Sequence, residues 1–173
     1  MNIAGATELS LISMEESSTK DVLGSLAKHE NDTEWSKKTT HFAISYLKKF
    51  ESEYKIVSKG FLSKELLFDI ILPSHGHMED LATGIILFPE NVTLKEALEY
   101  YKKPNPKYTK DCSDWVLFLK DQIKQSGFTS AIIIESVDGK IRHIDGLHRM
   151  MALGLLLGED YQYEPIPAYL LIR

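Results

Sequence analysis

The feature that most constrains the fold is the stretch from Arg142 to Leu153, Arg-His-Ile-Asp-Gly-Leu-His-Arg-Met-Met-Ala-Leu. An apolar, β-branched run at residues 131–134 and an Asp138-Gly139 pair precede it, and an apolar segment that ends at Gly158 follows it. Asp-Gly between two such runs is typical of a tight hairpin turn. This order predicts a strand, a hairpin turn, a second strand and then a sharp entry into a helix.

The polar residues of this stretch predict an anion-binding turn at the start of that helix. Asp145 is a natural N-cap, because its carboxylate can accept hydrogen bonds from the N–H groups of the next turn. His148 and Arg149 then fall in the first turn of an otherwise apolar helix, where the N–H groups and the helix dipole favour a negative ligand. We therefore expect a phosphate-bearing ligand, bound by Gly146, Leu147, His148, Arg149 and Met150.

The same residues carry a resemblance to a known superfamily. Asp145-Gly146-x-His148-Arg149, followed by Ala152-Leu153, resembles the motif of the ParB/sulfiredoxin-like superfamily, and most closely that of its free serine kinase branch. The surrounding pattern is similar too, with Ser126-Gly127-Phe128 after a helix and a short Pro-x-Pro strand that begins at Pro165. The resemblance covers residues 114–173 well and residues 66–113 loosely.

Comparison within the superfamily narrows the chemistry that the resemblance implies. Leu147 stands where sulfiredoxins carry their catalytic cysteine, so sulfinic acid reduction is disfavoured. The ParB partition proteins bind cytidine triphosphate with a Gly-Glu-Arg-Arg box, which this chain matches only at Gly146 and Arg149. The free serine kinases carry Asp-Gly-His-His-Arg, from which this chain departs only at Leu147, and that departure puts acceptor recognition in doubt.

The resemblance to the kinases therefore implies ATP or ADP with Mg²⁺ as cofactor and phosphoryl transfer to a small hydroxylated metabolite, such as an amino acid. His148 and Arg149 would contact phosphate oxygens, and Asp145 would either cap the helix or hold Mg²⁺ or the acceptor hydroxyl. Glu79 and Asp80 are candidates for the general base, because they lie in a loop that the fold could bring over the motif. A non-catalytic module that senses a nucleotide or phospho-ligand is the alternative.

A second polar concentration, with His75, His77, Glu79 and Asp80, permits a metal-dependent enzyme as a further alternative. A His-x-His pair on an extended segment can present both imidazoles to one ion, and His143 or His148 could complete such a site. A polar surface loop or a lid over the phosphate site would explain the same residues. The lysines and tyrosines of residues 100–110 form either a solvated loop or a nucleotide clamp.

Composition disfavours several classes of protein. The net charge of −5 disfavours a nucleic-acid surface, which needs a basic face. Cys112 is the only cysteine of the 173 residues, so no intrachain disulfide can form and a reducing cytoplasm is expected.

No segment approaches the ~20 apolar residues of a membrane span. The length suits one domain with a sizeable core. The oligomeric state is left open.

The predicted fold class is α+β, a compact domain with a small mixed sheet at residues 61–173 and a helical N-terminal extension at residues 1–60. Helices are expected at residues 17–29, 34–53, 93–101, 114–126 and 147–157, the fourth capped by Ser113. Thr93-x-x-Glu96 predicts a capping box for the third helix. Strands are expected at residues 66–72, 84–88, 131–135, 140–144 and 166–172.

Overall fold

The computed structural model describes residues 11–29, 34–73, 88–102 and 110–173. Along the chain the elements are β1 (Ile12–Glu16), α1 (Thr19–His29), α2 (Glu34–Phe50), a 3-10 helix (Glu51–Glu53), β2 (Ile56–Leu62), α3 (Lys64–Asp69), β3 (Ile71–Leu72), β4 (Val92–Thr93), α4 (Leu94–Lys102), α5 (Lys110–Ser126), β5 (Ile132–Val137), β6 (Lys140–Asp145), α6 (Leu147–Leu157) and β7 (Ile166–Ile172). The mixture of helices with a sheet confirms the α+β class. None of the helices in the described ranges is long and apolar enough to cross a membrane.

The chain divides into two compact units, and each combines separate stretches of sequence. The first unit comprises Met1–Ser63, Ser130–Asp145 and Ile166–Arg173, and the second comprises Lys64–Thr129 and Gly146–Pro165. The predicted division of the chain at residue 60 stays a prediction. The segment before that position contains the two expected helices, and it also contributes β1 and most of β2, two strands that the sequence did not predict.

The first unit contains a mixed sheet with the strand order β1-β2-β7-β5-β6. β5 and β7 run parallel, whereas the other neighbouring pairs are antiparallel. Helices α1 and α2 cover one face, where a buried cluster forms from Val22, Leu26, Ala43, Leu47, Ile133, Tyr169 and Leu171. A reciprocal capping pair starts α1: the Ser18 N–H donates to Asp21 Oδ2 at 3.1 Å, and the Asp21 N–H donates to Ser18 Oγ at 3.2 Å.

The second unit contains α3, the antiparallel pair β3–β4, and the helices α4, α5 and α6. The strand predicted at residues 66–72 is wrong over most of its length, since residues up to Asp69 form α3 and only Ile71–Leu72 is extended. The buried residues Leu66, Leu67 and Ile70 follow the spacing of a helix face, and this periodicity prevails over the apolar run. Most of the strand predicted at residues 84–88 lies outside the described residues.

Helix ends in the second unit show which predictions of capping hold. The capping box of α4 is confirmed, because the Thr93 N–H donates to Glu96 Oε2 at 2.8 Å and the Glu96 N–H donates to Thr93 Oγ1 at 3.3 Å. The start predicted for α5 is wrong: the helix begins at Lys110, so Ser113 lies inside it. Its end is as predicted, with Gly127 at φ 71° and its N–H donating to the Ile123 carbonyl at 2.9 Å.

Candidate functional site

The chain turns from β6 into α6 at Gly146, which is the N-cap residue of that helix and has φ 103° and ψ 15°. Only glycine adopts this left-handed conformation at little cost, which is the physical reason for a glycine at this position. The preceding hairpin also has the expected turn, with Asp138 at φ 52° and Gly139 at φ 72°. Two successive positive φ angles are typical of the two-residue turn that suits twisted antiparallel strands.

The prediction that Asp145 is the N-cap residue is wrong, because Gly146 occupies that position. Asp145 is instead the last residue of β6 and pairs with Ile133 on β5. The ladder extends one residue further than the sequence suggested, and the left-handed glycine makes the whole turn by itself. The Asp145 side chain is half-buried.

A β-bulge lies immediately before this turn. Ile133 on β5 pairs with Asp145 while the next residue, Ile134, pairs with His143, so Ile144 is an extra residue on β6. Ile144 packs against the apolar cluster under α1 and α2. Bulges change the direction in which neighbouring side chains project and occur often beside functional sites. This one sets the directions of the last side chains of β6.

The first turn of α6 divides the predicted ligand residues into two groups. Leu147 is only 8% exposed and Met150 is fully buried, so both side chains belong to the core. His148 and Arg149 are half-buried and keep part of their surface open. The burial of Leu147 fits the apolar side chain at that position.

The role predicted for the Met150 N–H is wrong. This group donates to the Gly146 carbonyl at 3.0 Å, which is the first hydrogen bond inside the helix. In any helix the first N–H groups have no acceptor within the helix itself, and here these include the N–H groups of Leu147, His148 and Arg149. The Met150 N–H is therefore not available to a ligand, and the binding of an anion by the other residues of this turn stays a prediction.

Arg149 has an aromatic neighbour in the same unit. Its guanidinium carbon lies 5.9 Å from the centre of the Phe128 ring. Phe128 follows Gly127, the glycine that ends α5, and Lys120 and Lys124 of α5 form ion pairs with Glu159, which follows α6. Phe128 belongs to the pattern quoted for the resemblance, but sequence reasoning gave it no role.

Several predicted functional residues fall outside the described residues. These are His75, His77, Glu79 and Asp80, together with residues 103–109, which make up most of the basic loop. The side chain of Cys112 is likewise outside the description, although its backbone belongs to α5. Within the ranges that are described, no group of three histidine, cysteine, aspartate or glutamate residues could hold a metal ion. The general base and the histidine metal site stay predictions.

Sequence reasoning missed a buried carboxylate in the first unit. Glu135, on β5, is 2% exposed and accepts hydrogen bonds from Tyr46 Oη at 2.6 Å and Tyr54 Oη at 3.3 Å. Arg173 Nη2 donates to the same carboxylate at 3.4 Å, while its Nε lies 3.2 Å away in an ion pair whose geometry is not that of a hydrogen bond. One signal in the sequence could have revealed this buried carboxylate, namely a glutamate in the middle of an apolar strand.

This cluster joins elements that are distant in sequence. Arg173 also stacks on Phe50, with its guanidinium carbon 4.1 Å from the ring centre, and its Nη1 donates to Glu53 at 3.3 Å. Burial, followed by the hydrogen bond to Glu135, raises the pKa of Tyr46 to about 12. Burial, followed by the negative charge of Glu135, also raises the pKa of Tyr54. These contacts fasten the end of α2 to the sheet.

No family model, no curated protein and no solved structure matches this chain in comparisons with known proteins. The resemblance to the ParB/sulfiredoxin-like superfamily therefore rests on residues of the chain itself. Four of them, Asp145, Gly146, His148 and Arg149, match the free serine kinase motif and lie around the turn between β6 and α6. That turn is the candidate site on which a function can be argued.

Proposed function

We propose that the protein is a nucleotide-binding enzyme that transfers a phosphoryl group from ATP or ADP, bound with Mg²⁺, to a small hydroxylated metabolite. One observation carries the proposal. The left-handed Gly146 leads directly into the first turn of α6, where Leu147 and Met150 are buried and His148 and Arg149 keep open surface. The apolar side chains hold the helix end in the core, and His148 and Arg149 retain surface that a ligand could contact.

Two independent features of the first turn of α6 favour a phosphate ligand. The N–H groups of Leu147, His148 and Arg149 carry the partial positive charge of the helix start, which favours an anion. The guanidinium of Arg149 adds a planar fork of donors that can bind two phosphate oxygens at once. The Phe128 ring, 5.9 Å from that guanidinium carbon, restricts the orientations that the fork can adopt.

Mg²⁺ is a hard cation that usually binds one or two carboxylates together with phosphate oxygens. Asp145, the last residue of β6 and the residue directly before Gly146 in the sequence, carries a carboxylate of that chemistry. Bound Mg²⁺ would neutralise charge on the transferred phosphoryl group. We assign Asp145 to Mg²⁺ or the acceptor hydroxyl and His148 to phosphate oxygens. Catalysis would then depend on positioning and on charge neutralisation.

A calorimetric titration of ATP, ADP and CTP, with and without Mg²⁺, tests the binding half of the proposal. Turnover is tested separately by ³¹P NMR of mixtures that contain nucleotide, Mg²⁺ and serine, threonine or another hydroxylated metabolite. Transfer to one acceptor supports the enzyme. Nucleotide binding without transfer to any acceptor would favour the sensing module, and the absence of binding for every phosphate ligand would contradict both.

A further inference from the structure

The solvent face of α5 carries an apolar patch that neither the core nor the proposed site uses. Leu117 is 46% exposed and Phe118 is 50% exposed. Trp115, one turn before Phe118, stacks on it with ring centres 5.2 Å apart and an angle of 19° between the planes. We call Trp115, Leu117 and Phe118 the α5 patch. The core side of the same helix is formed by Val116 and Ile123.

The α5 patch has carboxylates on both sides along the helix. Asp114 lies one turn before Leu117 and Phe118, and Asp121 lies one turn after them, since residues three and four apart are neighbours on a helix surface. Both aspartates are exposed. Among the described side chains of α5, the two lysines Lys120 and Lys124 form ion pairs with Glu159. The patch is therefore an apolar strip bordered by negative charge.

We propose that the α5 patch is a docking site for a protein segment that presents an apolar side chain flanked by lysine or arginine. Exposed apolar side chains grouped on one surface often mark an interaction site, and aromatic residues such as Trp115 and Phe118 are enriched in protein interfaces. Charge selects the partner, because Asp114 and Asp121 would attract flanking cations and repel acidic surfaces. This inference does not depend on the proposed phosphoryl transfer.

The same charges argue against other occupants. An anionic lipid surface or a nucleic acid would meet two carboxylates of like sign. A second copy that docked through the same patch would place aspartates opposite aspartates, because a twofold interface brings identical surfaces together. A segment with an apolar side chain and flanking basic residues would be complementary both to the apolar strip and to the carboxylates beside it. The patch lies on one helix and so fits a short segment, such as an amphipathic helix.

A pair of synthetic helical peptides provides the probe. One contains leucine and lysine, and the other has glutamate in place of every lysine. Calorimetric titration into the full chain should show binding of the lysine peptide and none of the glutamate peptide. The double variant Leu117→Ser/Phe118→Ser should bind the lysine peptide at least about tenfold more weakly, which is the effect of losing interface anchors.

Charge reversal separates the patch from the overall negative charge of the chain. Asp114→Lys/Asp121→Lys should reverse the preference, so that the glutamate peptide binds better. The control Glu65→Lys/Glu164→Lys makes the same change in net charge at two other exposed positions and should keep the original preference. Circular dichroism confirms that each variant is folded.

Three results would overturn the inference. The wild-type chain could fail to bind the lysine peptide, or the control variant could lose as much affinity as the patch variant. Analytical ultracentrifugation gives the third: a wild-type dimer that Leu117→Ser/Phe118→Ser disperses would show that the patch contacts a second copy. A preference for the glutamate peptide that appears in Asp114→Lys/Asp121→Lys and not in the control variant would support the proposed partner.

Discussion

The guanidinium carbon of Arg149 lies 5.9 Å from the centre of the Phe128 ring, so a cation of the α6 start faces the aromatic residue that follows α5. This separation is within the range of a cation–π contact, which contributes roughly 0.5–1 kcal/mol at an exposed site. The contact is too weak to hold a charge in place against solvent alone. It is strong enough to restrict the orientation of the Arg149 side chain, for which we propose phosphate binding.

Replacing Phe128 tests whether the ring positions Arg149. Phe128→Leu should weaken ATP binding by about 0.5–1 kcal/mol, because the cation–π contact is lost while apolar bulk is kept. Phe128→Tyr should bind ATP as wild type does, since its ring offers a similar face. Calorimetric titration of the three proteins measures the effect. Equal affinities for the leucine and wild-type proteins would show that the ring has no part in binding.

Replacing Gly146 tests the left-handed turn. Gly146→Ala should lower the free energy of unfolding by about 1–2 kcal/mol, because a Cβ atom disfavours φ 103°. The same variant should lose nucleotide affinity, since the chain would relieve the strain by moving the first turn of α6. Gly146→Asn should cost less, because asparagine tolerates the left-handed region better than alanine does. Urea unfolding provides the measurement, and an alanine variant as stable as wild type would contradict the assignment.

Replacing Glu135 tests the buried cluster of the first unit. Glu135→Ala should lower the free energy of unfolding by about 3 kcal/mol, which is the lower end of the range for breaking a buried ion pair. The cost arises because the charged Arg173 side chain, only 16% exposed, loses its buried partner. The double variant Glu135→Leu/Arg173→Met should recover part of that loss, because an apolar pair carries no desolvation penalty. Urea unfolding distinguishes the cases. A double variant less stable than Glu135→Ala would contradict this explanation.

Alkaline pH tests the same cluster through Tyr46. Its pKa is raised from 10.0 to about 12, first by burial and then by the hydrogen bond to Glu135. A raised folded-state pKa contributes stability that is fully present below pH 10.0 and is lost as the pH rises toward about 12. The free energy of unfolding should therefore fall over this window, and less steeply for Tyr46→Phe. Identical slopes in the two proteins would contradict the shift.

Much of the fold could be predicted where the decisive interactions are local. The β5–β6 hairpin and α6 follow from the Asp138-Gly139 turn and from one glycine, so the sequence sets them within a few residues. The strands β1 and β2 could not be predicted in this way. Their pairing joins distant segments, and it depends on Gly60, where a Cβ would lie 2.8 Å from the Ile12 carbonyl oxygen.

The candidate site was predictable to the same extent and for the same reason. His148 and Arg149 lie in the first turn of α6 because they follow directly after the glycine that starts the helix, so their position depends on local structure alone. The position of the N-cap was missed, because the ladder to Ile133 keeps Asp145 extended by one further residue. Glu135 was missed because its partners, among them Tyr46, lie on elements far away in sequence.

The most direct test is the calorimetric titration of ATP, with Mg²⁺, into wild type and Arg149→Lys. Lysine keeps the charge but cannot bind two phosphate oxygens in a planar fork, so affinity should fall by roughly 1.5–3 kcal/mol. Arg142→Lys, the same change at an exposed position of β6, should bind ATP as wild type does. Equal affinity of Arg149→Lys and wild type, with both proteins folded, would contradict the assignment of the α6 turn as a phosphate site.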